Sequence, residues 1–285
     1  LASFEIDYFF MNGFIGSAFL LGLFAIGTGF SMQSTTSHKS FAKTPKAIIF
    51  DIDGTLADSW KLGYEATQVV LKNNGISLID EATYHECTKF STPQRLARHA
   101  GLEPIEITPS SGEAAIERNK LFESTGEKLA AEFDELYVGL VTTTTAGFFE
   151  GIPEVLRRIA SCPSTKVGCL TNACVAYAHA VLKANDDVAQ QSLPKLCQSV
   201  HGADTVKAPK PEPDGLYQIC DELGVAPSEA VYVGDSPSDA LAARASGMPS
   251  IGVTWGSHSE ESLQKAPFDY YATTPNELSR ILKLR

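Results

Sequence analysis

The chain alternates between short, unbroken apolar runs and longer stretches in which apolar residues recur at helical spacing. Ala47-Ile48-Ile49-Phe50 is such a run, and it stops abruptly at Asp51. Lys166–Leu170, Ala230–Gly234 and Ser250–Gly256 share its character, and Tyr270-Tyr271-Ala272 is a shorter one. Continuous apolar runs of this length predict strands covered on both faces, as in a parallel sheet. Between the first and second runs the pattern is helical throughout. It predicts helices over Trp60–Leu71 (ending near Asn74-Gly75), Glu81–Lys89, Pro93–Ala100, Ser111–Glu123 and Gly126–Val138. Further helices are predicted over Pro153–Ala160, Ser238–Ser246 and Asn276–Leu284. The fold class is therefore α/β. Residues 46–57 and 148–285 make a parallel sheet flanked by helices, and residues 58–147 an all-helical insert with hinges at Asp58-Ser59 and Thr143–Gly147.

Ahead of the first strand the pattern changes. Tyr8–Phe30 is uncharged, mostly apolar and long enough to span a bilayer, and the following stretch to Lys46 is rich in Ser, Thr and Lys. No acidic residue lies between Asp7 and Asp51. Three expectations fit residues 1–45. They resemble the two-part targeting leader of algae with complex plastids, with Gly27-Thr28-Gly29 suiting cleavage before Phe30, which would place the protein in a plastid. They would equally serve as a retained membrane anchor, with Lys39, Lys43 and Lys46 on the cytoplasmic side, the one route to a membrane. Or translation starts at Met32 or Met11, leaving a cytoplasmic protein.

Composition narrows the function. Hydrophobic residues at 44% and charged residues at 20% describe a globular chain. A net charge of -11 argues against nucleic acid as a partner, because phosphate backbones demand basic surfaces. An anionic substrate must then be drawn in by local groups. The six cysteines show neither a CxxC pair nor zinc-ligand spacing, so they read as buried thiols in a reducing compartment. The histidines are dispersed, which argues against a His/Cys metal site.

The candidate chemistry sits where the apolar runs end, the position at which open α/β sheets place their ligands. Asp51 and Asp53 are two residues apart and would leave an extended chain on the same side. Gly54 permits a sharp turn, and Thr55 adds a hydroxyl. The run ending at Leu170 is followed by Thr171-Asn172-Ala173, where a hydroxyl, backbone amides and a helix start could converge on phosphate. Val206–Asp214 sets three prolines around two lysines, a rigid frame able to aim Lys210, whereas Lys207 reads as a solvated loop cation. Asp235 and Asp239 bracket the start of the next helix. An oxygen-rich group of Asp51, Asp53, Asp235 and Asp239 suits a hard cation, most naturally Mg²⁺. A phosphate dianion could not approach these acids without that ion and Lys210. In the insert, Gln94, Arg95 and Arg98 follow Ser91-Thr92-Pro93, which could open a helix pointing at an anion; the competing reading is an exposed, solvated face.

Taken in order, Phe50-Asp51-Ile52-Asp53-Gly54-Thr55-Leu56, the strand ending in Thr171, Lys210 before Pro211-Glu212-Pro213-Asp214, and Gly234-Asp235-Ser236-Pro237-Ser238-Asp239 resemble the four motifs of the haloacid dehalogenase superfamily. The resemblance covers nearly everything after Lys46. It implies a Rossmann-like core with residues 58–147 as a helical cap, and a Mg²⁺-dependent hydrolase of small phosphate monoesters. By the same resemblance Asp51 is the nucleophile that forms an aspartyl-phosphate, and Asp53 is the acid and then the base. Mg²⁺ is held by Asp51, the Asp53 backbone carbonyl, Asp235 and Asp239. Lys210 and Thr171 hold the phosphoryl oxygens, with the Gly54 and Asn172 amides as further donors. The superfamily's dehalogenases carry an aromatic residue where this chain has Asp53 and need no metal, so dehalogenation is not expected. The helical insert, the Gly-Asp-Ser string and Gly252–Gly256 look most like the phosphoglycolate phosphatase-like group, although nothing in the insert fixes glycolate as the leaving group. The alternatives are a phosphosugar mutase of the β-phosphoglucomutase type, a pyrophosphatase or other sugar-phosphate phosphatase, and a non-catalytic phosphate-binding protein. No oligomeric state follows from the sequence.

Overall fold

A computed structural model describes residues 40–108, 110–190 and 192–284. The expectations for the leader or anchor, residues 1–45, fall almost wholly outside these. No helix among the described residues is long and apolar enough to cross a membrane.

The sheet contains β1 (Ala47–Phe50), β4 (Lys166–Leu170), β5 (Cys197–His201), β6 (Ala230–Gly234), β7 (Ser250–Val253) and β8 (Tyr270–Ala272). Their order is β5-β4-β1-β6-β7-β8, and every pairing is parallel. The alternation of side chains across β1 explains its unbroken apolar run. Ile48 and Phe50 enter one core cluster, Ala47 and Ile49 the other, so both faces are packed. The first cluster is completed by α5 (Ile152–Ala160), α6 (Val175–Ala184) and α12 (Pro275–Ile281), and the second by α9 (Asp214–Leu223) and α10 (Pro237–Ser246). Two single turns, α7 (Asp186–Ala189) and α8 (Leu193–Leu196), lead into β5, and α11 (Glu260–Gln264) precedes β8. Register then brings the motifs level. Phe50 pairs with Cys169 on one side and Val233 on the other, so Asp51, Thr171 and Asp235 emerge within one residue of the same height. The strand order reverses about β1, which makes these tips the crevice where an open sheet binds its ligand.

The helical insert comprises α1 (Trp60–Asn73), α2 (Glu81–Cys87), α3 (Thr92–His99) and α4 (Glu113–Gly139). The two helices expected over 111–123 and 126–138 are one. Gly126 does not interrupt it, because the helix continues with normal geometry and uses the missing side chain for a close crossing: a Cβ there would run into the Pro93 carbonyl of α3. At the expected hinges a two-stranded antiparallel ribbon forms instead of bare turns, from β2 (Ala57–Asp58) and β3 (Gly147–Phe148). The strand expected over 250–256 ends at Val253. β5 was not anticipated at all, since Cys-Gln-Ser-Val-His at a sheet edge lacks the apolar run that marks the inner strands.

Candidate active site

The Asp51 amide donates to the Val233 carbonyl at 2.9 Å, so the residue is held as a continuation of β1. Its carboxylate accepts from the Lys210 ammonium at 2.9 Å, and the same ammonium donates to Asp239 Oδ1 at 2.7 Å. All three residues are buried. Burial alone would lower the lysine's pKa, but Asp239 and Asp51 outweigh it and hold Lys210 above its ordinary range, firmly cationic. Burial pushes the Asp51 carboxyl well above the usual carboxylate range; Lys210 pulls it back, and Asp239, Asp235 and Asp53 push it up again. Asp51, Asp235 and Asp239 bring one carboxylate oxygen each to within 4.8 Å of one another. The group offers oxygen donors alone, which fits a hard divalent cation such as Mg²⁺.

The surroundings fix each member. Asp235 Oδ2 accepts the Ser257 amide at 2.7 Å, and Gly54, at φ +77, leaves room for that carboxylate where any side chain would collide with it. The Gly54 amide, expected as a phosphate donor, is directed instead to the Ala57 carbonyl at 2.9 Å, so the glycine contributes space and turn geometry. Asp239 Oδ1 also accepts the Tyr232 hydroxyl at 3.1 Å and Oδ2 the Ser236 amide at 2.9 Å, so this acid anchors Lys210 at the start of α10. The Asn172 side chain grips the backbone of Lys210 from both sides: its Nδ2 donates to the Lys210 carbonyl, and its Oδ1 accepts the Lys210 amide, each at 3.0 Å. Thr171 is buried; its hydroxyl donates to Asp53 Oδ2 at 3.2 Å and accepts the Ala173 amide at 3.0 Å.

The half-buried side chain of Asp53 stands outside the three-carboxylate group. Its Oδ1 accepts hydroxyls from Ser59 at 2.5 Å, Tyr177 at 2.6 Å and Tyr137 at 3.1 Å. Neither tyrosine is marked in the sequence, where Ser59 stands only as part of an expected hinge. His258 is unmarked too: it lines the cavity with Nδ1 3.6 Å from Asp235 Oδ2. Nothing in the local pattern marks these residues, because their roles depend on which elements meet.

The three insert residues separate. Arg95 is buried and faces a cavity of about 90 Å³ shared with Asp51, Asp53, Lys210 and Asn172. Its guanidinium lies 5.1 Å from the Tyr84 ring and 4.7 Å from the Phe133 ring, and donates to the Thr67 hydroxyl at 3.3 Å. No carboxylate among the described residues pairs with it. Gln94 and Arg98 line a neighbouring cleft, and Arg98 pairs with Glu103 at 3.2 Å and stacks 3.7 Å from the Phe90 ring. Lys207 lies exposed on its loop, 3.8 Å from Asp214.

Comparison with known proteins places this geometry in context. A family model described as haloacid dehalogenase-like hydrolase matches residues 48–253. A phosphoglycolate phosphatase of Xanthomonas campestris is 31% identical over 217 residues, covering 74% of this chain and 84% of that one. The Escherichia coli K12 phosphoglycolate phosphatase is 26% identical over 255 residues, 84% of this chain and 93% of its own. Among solved structures, CbbY from Rhodobacter sphaeroides in complex with phosphate superimposes with a TM-score of 0.65 at 22% identity, covering 84% of this chain and all of that one. A hydrolase from Pseudomonas syringae gives 0.63 at 22%, covering 83% and 97%. At these identities the structural likeness speaks for the fold.

Proposed function

This chain belongs to the haloacid dehalogenase-like hydrolases and is a phosphoric monoester hydrolase of that family, and on that premise we propose that it cleaves a small phosphate ester with an anionic leaving group, phosphoglycolate or a close analogue, through a covalent intermediate on Asp51. The observation that carries the reading is the convergence of Asp51, Asp53, Thr171, Lys210 and Asp235 on one small cavity at the tips of β1, β4 and β6. A free Asp51 oxygen attacks phosphorus, and the bond from phosphorus to the ester oxygen breaks. Asp53 gives its proton to that leaving oxygen. It then takes a proton from the water that attacks the phosphoaspartate, releasing phosphate and restoring the Asp51 carboxylate. Lys210 and Thr171 hold phosphoryl oxygens, and Asn172 keeps the Lys210 backbone in place. Asp51, Asp235, Asp239 and the Asp53 carbonyl would hold Mg²⁺, which would supply positive charge against the phosphoryl oxygens.

One feature supports an anionic leaving group. Arg95 is a desolvated cation without an acidic partner among the described residues, and a carboxylate on the leaving group would supply one. The test is phosphate release by the Lys46–Arg285 fragment from a panel of esters, with and without Mg²⁺, beside an Asp51→Asn variant. Metal-dependent release that the variant lacks is expected, fastest on phosphoglycolate. Interconversion of hexose phosphates without release would overturn the hydrolase reading in favour of a mutase.

A further inference from the structure

We propose that Tyr137 and Tyr177 are positioning residues for Asp53, and that through Tyr137 they make proton transfer depend on the seating of the helical insert. The inference rests on the phosphatase reading above. A carboxyl that hands over a proton and later takes one back needs one oxygen open to the reaction and the other held still. Asp53 shows that division: among the described residues three hydroxyls converge on Oδ1, whereas Oδ2 meets only Thr171 at 3.2 Å. The held oxygen is gripped from two sides. Tyr137 comes from α4 of the insert, Tyr177 from α6 of the core, and Ser59 from the junction between β2 and α1.

The two rings are stacked, with centroids 4.0 Å apart and planes 14° from parallel, and both residues are buried. The stack fixes each hydroxyl without help from solvent. If the insert lifts away, Asp53 loses one of its three Oδ1 donors and the stack that fixes a second. The acid is then assembled only beneath a seated insert, the arrangement in which water is excluded.

The experiment compares wild type with Tyr177→Phe and Tyr137→Phe, each of which keeps its ring in the stack and deletes one hydroxyl. Two esters are used. An alkyl ester such as phosphoglycolate needs a proton on its departing oxygen, whereas p-nitrophenyl phosphate loses a stable phenolate without one. For each variant kcat on the alkyl ester is expected to fall about tenfold with KM unchanged, part of the full general-acid contribution. The first-turnover burst of p-nitrophenolate should stay within about twofold of wild type, which also shows that the site is folded. Equal losses on both esters, or full activity on both, would overturn the positioning role while leaving the phosphatase reading intact. A wild-type chain that releases phosphate from neither ester would overturn both.

Discussion

Replacing Arg95 with methionine removes one charge while retaining a long apolar stem between the Tyr84 and Phe133 rings. In the folded protein this guanidinium is buried and has one long hydrogen bond, 3.3 Å to Thr67, with no acidic partner among the described residues. The cost of desolvating it has already been met in folding, so a substrate carboxylate entering the cavity gains nearly the full strength of a charge-assisted bond. Such bonds contribute about 1.5–3 kcal/mol, which is about a 10- to 150-fold loss in kcat/KM when the charge is removed. The comparison that isolates the effect uses phosphoglycolate and ethyl phosphate, whose leaving groups differ by the carboxylate alone. Arg95→Met is expected to lose the stated factor on phosphoglycolate and stay within about twofold on ethyl phosphate, so the ratio of the two specificity constants collapses. Arg95→Lys should recover part of it, as a point charge replaces a planar fork. Equal losses on both esters would refute the argument, because they would show that Arg95 supports the fold of the insert and does not read the leaving group.

Two other substitutions have definite expected outcomes. His99 is buried with neither ring nitrogen hydrogen-bonded among the described residues, and burial, helped by the Arg95 charge, lowers its pKa to about 3. The unfolded chain therefore binds the proton first as pH falls below about 6.5, and this group's contribution to stability, complete above that pH, is lost progressively down to about 3. At pH 5 the loss is about 2 kcal/mol. His99→Leu should remove that part of the acid sensitivity in melts compared between pH 7.5 and 5, and an unchanged pH dependence would contradict the argument. Gly126→Ala should destabilise by about 1–3 kcal/mol in denaturant melts, although alanine is the better helix former, because the new methyl group meets the Pro93 carbonyl and separates α3 from α4. A stabilised variant would show that the crossing is loose.

Much of the core was legible because its inner strands are buried on both faces. β1, β4 and β6 announce themselves as unbroken apolar runs, and the residues just past their tips are the candidate site. What stayed hidden depends on tertiary partners. β2 and β3 are two-residue strands with no pattern of their own, and β5 is a polar edge. The Thr125-Gly126 step looks like a helix boundary until α3 is packed against it. Tyr137 and Tyr177 lie 40 positions apart on α4 and α6, and a phenol's destination is set only when those helices meet. Arg95 and Arg98 are three residues apart with the same chemistry, yet one faces the cavity without an acidic partner among the described residues, and the other is neutralised by Glu103.

The β2–β3 ribbon gives the insert an entrance and an exit side by side, because Asp58 pairs with Gly147 and Ala57 with Phe148. A segment whose two ends are neighbours can grow, shrink or be replaced wholesale without rerouting any other part of the chain. The carboxylates and lysine at the strand tips would be untouched by such a replacement, whereas Arg95 and Tyr137 would leave with the segment. On the proposed reading, the nucleophile and its lysine stay on one piece of the polypeptide and the group that meets the leaving group on another, so descendants could acquire new substrates by trading the piece between two hydrogen-bonded residue pairs, provided the new piece again supports Asp53.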